Sequence, residues 1–224
     1  LKKMKIDQNT LVWFTSDNGG LPKINPSTTG GLRDYKGSLY EGGIRVPAII
    51  EWPDKIKKPK ISNYPAGAVD IFPTISEIAK VSDSAMLKPM DGLSLTPLFS
   101  SFLSKRNKPL IFSSRGRMAI IDNEWKMISQ PKDQGRKIEL FNLSSDPGES
   151  MNEFRPKHPQ VIRLREFLVD ARKSIEKSVS GKDYSNGTVL PQPPRIFWTE
   201  LPQYQKYFQQ WKTRPEYESR LKKF

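Results

Sequence analysis

The chain has 224 residues, 36% of them hydrophobic and 27% charged, with a formal net charge of +13 and no cysteine. This length and composition predict a globular protein of one or two domains, and the lack of thiols excludes disulfides and zinc–thiolate sites. The positive charge is spread over scattered lysines without interleaved aromatic residues, and no apolar run is long enough to span a membrane. The sequence therefore predicts neither nucleic-acid binding nor a transmembrane segment.

The first informative segment is an apolar run, residues 11–14, that stops at the sequence TSDNGG. Because the run shows no polar alternation, it predicts a strand buried on both faces of a parallel sheet. Ligands of open α/β sheets bind just beyond the carboxyl ends of such strands. The carboxylate of Asp17 and the amide of Asn18 suit a hard cation, Ca²⁺ or Mg²⁺, and Gly19 and Gly20 allow the chain to turn there. The alternative is an ordinary Asx-turn at the end of a strand.

The next elements follow in chain order. Residues 19–34 are rich in Gly, Pro, Ser and Thr and predict a loop of the kind that carries ligands. Residues 47–52 predict a second strand. Residues 66–81 have apolar positions at helical spacing and predict a core-facing helix, in which Pro73 is tolerable only near the first turn or at a kink.

The period of the hydrophobic pattern changes after Pro109. Short strand-like runs separated by turn residues indicate an antiparallel meander; they are residues 110–112, 118–121, 125–128 and 138–141. A helix with one apolar stripe begins at His158 and Pro159, where His158 is expected to have a capping or surface role. Residues 181–194 are rich in Gly, Asn and Pro, and residues 196–224 are amphipathic.

Two segments together carry a resemblance to a known family. The sequence TSDNG at residues 15–19, followed by KGSLYEGGIRVP at residues 36–47, resembles the second half of the catalytic domain of type I, formylglycine-dependent sulfatases in the alkaline phosphatase superfamily. The likeness continues in VDIFPTI at 69–75, in MDGLSL at 90–95 and in ELFNL at 139–143 with DPGE at 146–149. Several ordered motifs at plausible spacing are more specific than any one of them.

The resemblance implies an α/β fold. It is the carboxyl-terminal part of an alkaline-phosphatase-like α/β sandwich, followed by a small antiparallel sheet subdomain with one packed helix. We expect the catalytic part at residues 1–105, the small subdomain at 106–180 and a carboxyl-terminal extension at 181–224.

For the site, the resemblance implies that Asp17 and Asn18 are two oxygen ligands of an active-site Ca²⁺, or of Mg²⁺. It also implies that Lys36 contacts a sulfate oxygen and takes part in catalysis, the alternative being one more surface lysine. We interpret Glu41 and Arg45 as architecture, because such a pair commonly braces a loop.

The function implied by the resemblance is hydrolysis of a sulfuric ester, as in arylsulfatases; the sequence does not identify the substrate, and sulfated carbohydrate is one of the classes that the resemblance allows. No serine of this chain begins a Cys/Ser-x-Pro-x-Arg motif, so we expect the formylglycine nucleophile in a missing amino-terminal part. We then expect the chain to be a fragment that is inactive alone. Its location is not readable from the fragment, and the resemblance implies a periplasmic or secreted protein. The alternatives are a phosphoesterase or phosphonate hydrolase of the same superfamily, and a non-catalytic degenerate relative that binds sulfated glycan.

Overall fold

The computed structural model describes residues 1–22, 24–86, 88–132, 135–183 and 196–214, together with Tyr217 and Leu221. The chain forms two compact units, Leu1–Ala171 and Arg172–Phe224. The predicted boundaries at residues 105 and 180 stay a prediction. Within the described ranges, no helix combines the length and the apolar character needed to cross a membrane.

The first strand, β1 (Val12–Thr15), pairs antiparallel with β2 (Ala48–Glu51) in a two-stranded sheet. The second strand confirms the prediction for residues 47–52. The prediction of a parallel strand buried on both faces is wrong for the described chain, since the side chains of Val12 and Phe14 are 41% and 60% exposed. The two-stranded sheet leaves the Val12 and Phe14 face of β1 open, so an apolar run without alternation does not by itself produce burial.

A short helix, α1 (Glu41–Ile44), lies between these two strands along the chain. The next helix, α2 (Ile71–Ile78), follows a 3₁₀ turn over Ala68–Asp70. Pro73 therefore falls in the first turn of α2, where its missing N–H breaks no helical hydrogen bond, as predicted. A further one-turn helix, α3 (Pro97–Ser100), completes this part of the chain.

A buried ion pair fixes the segments around α2. Two guanidinium nitrogens of Arg106 each lie 2.8 Å from a carboxylate oxygen of Asp70, and the two side chains are 1% and 0% exposed. The same carboxylate accepts hydrogen bonds from the backbone N–H groups of Gly67 and Leu93. Asp70 therefore ties together three stretches that are distant in sequence.

The predicted meander is confirmed. Four antiparallel strands lie in the order β3 (Leu110–Ser114), β4 (Arg117–Asp122), β5 (Trp125–Lys132) and β6 (Gly135–Asn142). Their core includes a buried cluster to which Leu39 also belongs. The loop that carries the predicted site residues is thus packed on this sheet.

The predicted helix is also confirmed, as α4 (Pro159–Val179). Its side chains Val161, Leu164 and Leu168 are buried, and Arg163 donates a hydrogen bond to Asp122 of β4. His158 accepts the N–H of Gln160 through Nδ1 at 3.2 Å, so it caps the helix as predicted.

The second compact unit contains an aromatic cluster of its own. Its short helices are α5 (Pro202–Gln205) and α6 (Phe208–Trp211). The ring of Trp198 lies edge-on at 5.9 Å from Phe208, 5.9 Å from Trp211 and 5.8 Å from Tyr217. Residues 184–195, which include most of the predicted Gly-, Asn- and Pro-rich stretch at 181–194, lie outside the described residues.

Replacing Arg106 with Met in the complete protein should lower the free energy of unfolding by about 3–5 kcal/mol, because Asp70 is left as an unpaired buried carboxylate. Urea denaturation followed by circular dichroism measures the loss. The neighbouring Lys105 is exposed and has no ion pair within the described part of the chain, so Lys105→Met should change the value by less than about 0.5 kcal/mol. Equal, small losses in both variants would contradict the structural role of the pair.

Candidate active site

The turn after β1 is held by its backbone. The N–H of Gly19 donates to the carbonyl oxygen of Gly43 in α1 at 2.9 Å. A Cβ at position 19 would lie 1.9 Å from the carbonyl oxygen of Gly42, so only glycine fits here. The hydroxyl of Ser16 donates to the carbonyl oxygen of Asn18 at 2.9 Å and closes the turn. Asp17 and Asn18 are therefore presented by a fixed backbone.

The loop of Lys36 folds back onto the same turn. The backbone N–H of Lys36 donates to the carbonyl oxygen of Gly20 at 2.9 Å, and that of Gly42 donates to the carbonyl oxygen of Arg33 at 2.8 Å. These hydrogen bonds place the two segments side by side, although a long loop separates them in the sequence.

The predicted site side chains line one open depression of about 860 Å³. Its wall includes Asp17, Asn18, Lys36 and Arg45. Asp17 and Lys36 are exposed and Asn18 is half-buried. Among the residues that the structure describes, none of these three side chains makes a hydrogen bond or an ion pair. A carboxylate, an amide and an ammonium group are thus free to meet a ligand.

Arg45 lies in the wall of the depression, a location that the sequence did not indicate. Its Nη1 lies 3.6 Å from Oε2 of Glu41, which agrees with the expected brace. It also lines the depression and so brings a second cation to it. The GGIRVP segment contains this arginine, but the same sequence is expected whether the arginine braces a loop or faces a ligand.

A buried cluster of charges anchors α1 to the four-stranded sheet of β3 to β6. Nζ of Lys126 in β5 lies 2.8 Å from Oε1 of Glu41 and 2.8 Å from Oε1 of Glu149. The three side chains are 0%, 5% and 0% exposed, in that order. Oε2 of Glu149 accepts the backbone N–H of Glu41 at 2.5 Å, so the same carboxylate also caps α1. Sequence reasoning missed Lys126, whose only signal was a lysine inside an apolar strand.

The cluster holds two carboxylates against one buried ammonium. Burial raises the pKa of Glu149 above its ordinary value of 4.5, although the charge and hydrogen bond of Lys126 and the N–H of Glu41 act in the opposite direction. Desolvation therefore outweighs pairing at this carboxyl. Its protonation stabilises the folded state, and this contribution is present at acidic pH and is lost as the pH rises through the raised pKa.

A second set of contacts holds the loop to β6. The hydroxyl of Tyr40 donates to Oε2 of Glu139 at 2.6 Å, and the guanidinium of Arg33 lies 3.8 Å from the centre of the Tyr40 ring. Burial, together with the hydrogen bond to Glu139, raises the pKa of Tyr40 to about 12. Burial alone would raise the pKa of Glu139, but hydrogen bonds from Tyr40 and Lys137 and the charge of Lys137 lower it. Tyr40 thus remains a neutral donor and Glu139 an ionised acceptor.

The donor chemistry of the turn fits a hard cation. Asp17 and Asn18 offer oxygen atoms without partners, which is the kind of ligand that Ca²⁺ and Mg²⁺ take. Within the described ranges, no group of three or more His, Cys, Asp or Glu side chains converges as a metal site. These two residues would therefore supply only part of the roughly six to eight oxygens around Ca²⁺.

Comparisons with known proteins identify relatives of this chain. A sequence model of the sulfatase family matches residues 1–81, which include both site segments. An N-acetylgalactosamine-6-O-sulfatase of Bacteroides thetaiotaomicron is 28% identical over 198 residues, covering 78% of this chain and 38% of the relative. Arylsulfatase A of Bos taurus is 30% identical over 194 residues, covering 71% of this chain and 37% of the relative. The chain spans well under half the length of these relatives.

Solved structures share the fold. The PsFucS1 sulfatase from Pseudoalteromonas sp. superposes with a TM-score of 0.63 at 23% identity, covering 83% of this chain and 40% of that one. A protein solved in complex with its substrate D-glucosamine-2-N,6-O-disulfate superposes with a TM-score of 0.53 at 21% identity, covering 84% of this chain and 37% of that one. The predicted α/β fold class, with its small antiparallel sheet subdomain, is confirmed by these likenesses.

Replacing Lys126 with Met should lower the free energy of unfolding by about 3–5 kcal/mol at neutral pH, because Glu41 and Glu149 lose their shared counter-ion. The loss should shrink as the pH falls towards the ordinary range of Glu, since protonation of Glu149 then removes one buried charge. Urea denaturation of the complete protein at neutral and acidic pH measures both effects.

The control for this variant is Lys58→Met, because Lys58 is exposed and has no ion pair in the described part of the chain. It should change the free energy of unfolding by less than about 0.5 kcal/mol at either pH. If the Lys126→Met loss were the same at both pH values, or larger in acid, the charge cluster would not be what stabilises α1.

Proposed function

This chain belongs to the sulfatase family, and from that premise we propose that the complete protein is a sulfuric ester hydrolase of the arylsulfatase kind. The observation that carries the proposal is the shared depression of Asp17, Asn18 and Lys36, whose side chains have no partners among the described residues. Oxygen ligands for a cation next to a free ammonium group suit the binding of a tetrahedral oxyanion. The depression would therefore receive the sulfate group of the ester.

Each of these residues has a part in the proposed chemistry. Asp17 and Asn18 would hold a divalent cation, Ca²⁺ or Mg²⁺, which when bound offsets negative charge on the sulfate oxygens. Lys36 would bind a sulfate oxygen and stabilise the charge that develops there. A pair of unit charges about 4 Å apart gains about 1 kcal/mol in water but about 4 at an effective dielectric of 20. Lys36 is thus effective to the extent that bound substrate displaces water.

Two further groups complete the proposal. Arg45 would add a second positive charge at the wall of the depression, where it is held by Glu41. The nucleophile would come from a formylglycine elsewhere in the complete protein, because no serine here begins the required motif. Attack on sulfur and departure of the alcohol would then take place against the surface that this chain supplies.

The substrate class we propose is a sulfated carbohydrate. One curated relative is an N-acetylgalactosamine-6-O-sulfatase, and one structural neighbour was solved with a disulfated glucosamine. A phosphoesterase of the same superfamily would differ chiefly in its nucleophile and metal number, and the named relatives favour sulfate.

In the complete protein, Asp17→Ala should remove most of the bound divalent ion and most of the turnover, because the ion loses a charged ligand. Asp17→Asn should weaken ion binding less, since it keeps an oxygen in place while removing the charge. Elemental analysis and calorimetric titration with Ca²⁺ measure the ion independently of activity. Asp54→Ala removes an exposed carboxylate outside the depression and should leave both unchanged. Full ion content in Asp17→Ala would rule out the ligand role.

Lys36→Ala should lower kcat/KM for an aryl sulfate by about 10²- to 10³-fold, as expected when one preorganised partner of a developing oxyanion is removed. Lys36→Arg should restore only part of it, because a planar guanidinium differs in shape from an ammonium. His158→Ala should leave kcat/KM nearly unchanged, since His158 caps α4 and does not line the depression.

The same assay with a matched aryl phosphate tests the reaction class. We expect sulfate to be turned over faster by the unmodified protein. Hydrolysis of the phosphate alone would overturn the proposed function, and a Lys36→Ala variant within threefold of the unmodified protein would overturn the role of Lys36.

A further inference from the structure

The turn of the candidate site contains a chemically fragile pair, Asn18-Gly19. In such a pair the backbone nitrogen of the glycine can attack the side-chain carbonyl carbon of the asparagine, because no Cβ hinders the approach. We propose that Asn18-Gly19 is a deamidation site, and that the contact between Gly19 and α1 prevents the reaction in the folded protein. This inference does not rest on the proposed function.

The reaction balances without any other reagent than water. The nitrogen of Gly19 forms a bond to Cγ of Asn18, loses its proton, and the side-chain amide leaves as ammonia. The resulting five-membered succinimide then takes up one water molecule and opens to aspartate or isoaspartate at position 18. Either product replaces a neutral amide by a carboxylate, and isoaspartate also lengthens the backbone by one carbon.

The structure blocks the first step at the attacking atom. The N–H of Gly19 is engaged by the carbonyl oxygen of Gly43 at 2.9 Å. To attack, this nitrogen must give up that hydrogen bond and turn toward the side chain of Asn18. Gly19 is half-buried, and an N–H that loses its acceptor there costs free energy, so the reactive arrangement is disfavoured while α1 stays in place.

Close packing blocks the accompanying backbone movement. A Cβ at position 19 would lie 1.9 Å from the carbonyl oxygen of Gly42 and 2.9 Å from Cα of Gly43. The backbone of Gly19 is therefore in direct contact with α1, and it cannot swing toward α1 to close the ring. Reaction requires a local opening in which the turn and α1 separate.

The anchor of α1 thereby controls the chemistry at Asn18. The buried side chain of Glu41 holds α1 to Lys126 at 2.8 Å, and Glu149 holds its first backbone N–H at 2.5 Å. Weakening this anchor should let α1 move away and release the N–H of Gly19. In the depression, the product would place a second negative charge beside Asp17.

The first experiment compares folded and unfolded protein. The complete protein is incubated at neutral pH and physiological temperature, with and without denaturing guanidinium, and the tryptic peptide of residues 6–23 is analysed by mass spectrometry. Conversion of Asn18 should be at least about tenfold slower in the folded protein, because it needs a local opening. The Asn186-Gly187 pair, read from the peptide of residues 183–195, checks that the unfolded chain deamidates under the assay conditions. Equal rates at Asn18 in both states would overturn the proposal.

The second experiment tests the role of α1. Glu41→Gln removes the charge that anchors α1, and it should raise the conversion rate of Asn18 several-fold in otherwise folded protein. Arg163→Ala is the matched control, because it breaks an ion pair to Asp122 between α4 and β4 and destabilises the fold away from the turn. It should leave the rate at Asn18 close to that of the unmodified protein. Equal acceleration in both variants would assign the reaction to global unfolding and overturn the control by α1.

Sub-denaturing urea on the unmodified protein gives the same test if Glu41→Gln does not fold. The conversion rate at Asn18 should then rise at urea concentrations below the main unfolding transition, because a local opening precedes it. A rate that rises only with the main transition would contradict the proposal.

Discussion

The buried ammonium group of Lys126 is the interaction on which the site depends. It lies 2.8 Å from the carboxylates of both Glu41 and Glu149, and it is fully removed from solvent. Burying three charges costs desolvation that only good geometry on every side offsets. The three charges meet in one arrangement, with β5, α1 and the turn at Glu149 all in place. A shift of any one of them leaves a buried charge without a partner.

Because α1 is fixed in this way, the segments on either side of it are fixed as well. The carbonyl oxygen of Gly43 in α1 holds the turn after β1, and the N–H of Gly42 holds the carbonyl oxygen of Arg33 in the loop of Lys36. A purely apolar contact could stabilise α1 as much, but it would tolerate sliding. A charge cluster resists sliding, since hydrogen bonds and ion pairs are directional. The four-stranded sheet therefore holds the segments around the depression in place, although none of its described residues lines the depression.

Sequence periodicity and ordered motifs predicted different parts of this structure. The meander and α4 followed from strand-length apolar runs between turns and from an apolar stripe, both of which depend on local spacing. Asp17, Asn18 and Lys36 came from a resemblance over several motifs, and their common depression could not be read from spacing alone. The exposure of β1 was missed because an apolar run shows only that its side chains could be buried. It does not show which strands pair with β1 or what covers its faces. Lys126 was missed because its partners are distant in sequence.

The site combines a constrained backbone with unconstrained side chains. The backbone N–H groups of Gly19 and Lys36 each donate a hydrogen bond to a carbonyl oxygen. The side chains of Asp17, Asn18 and Lys36, in contrast, have no partners among the described residues. A ligand then meets groups whose positions are set by the backbone, and it breaks no existing side-chain contact on binding. The same arrangement exposes the amide of Asn18 to its own neighbour. The contact with α1 that presents this amide to a ligand is also the contact that keeps Gly19 from attacking it.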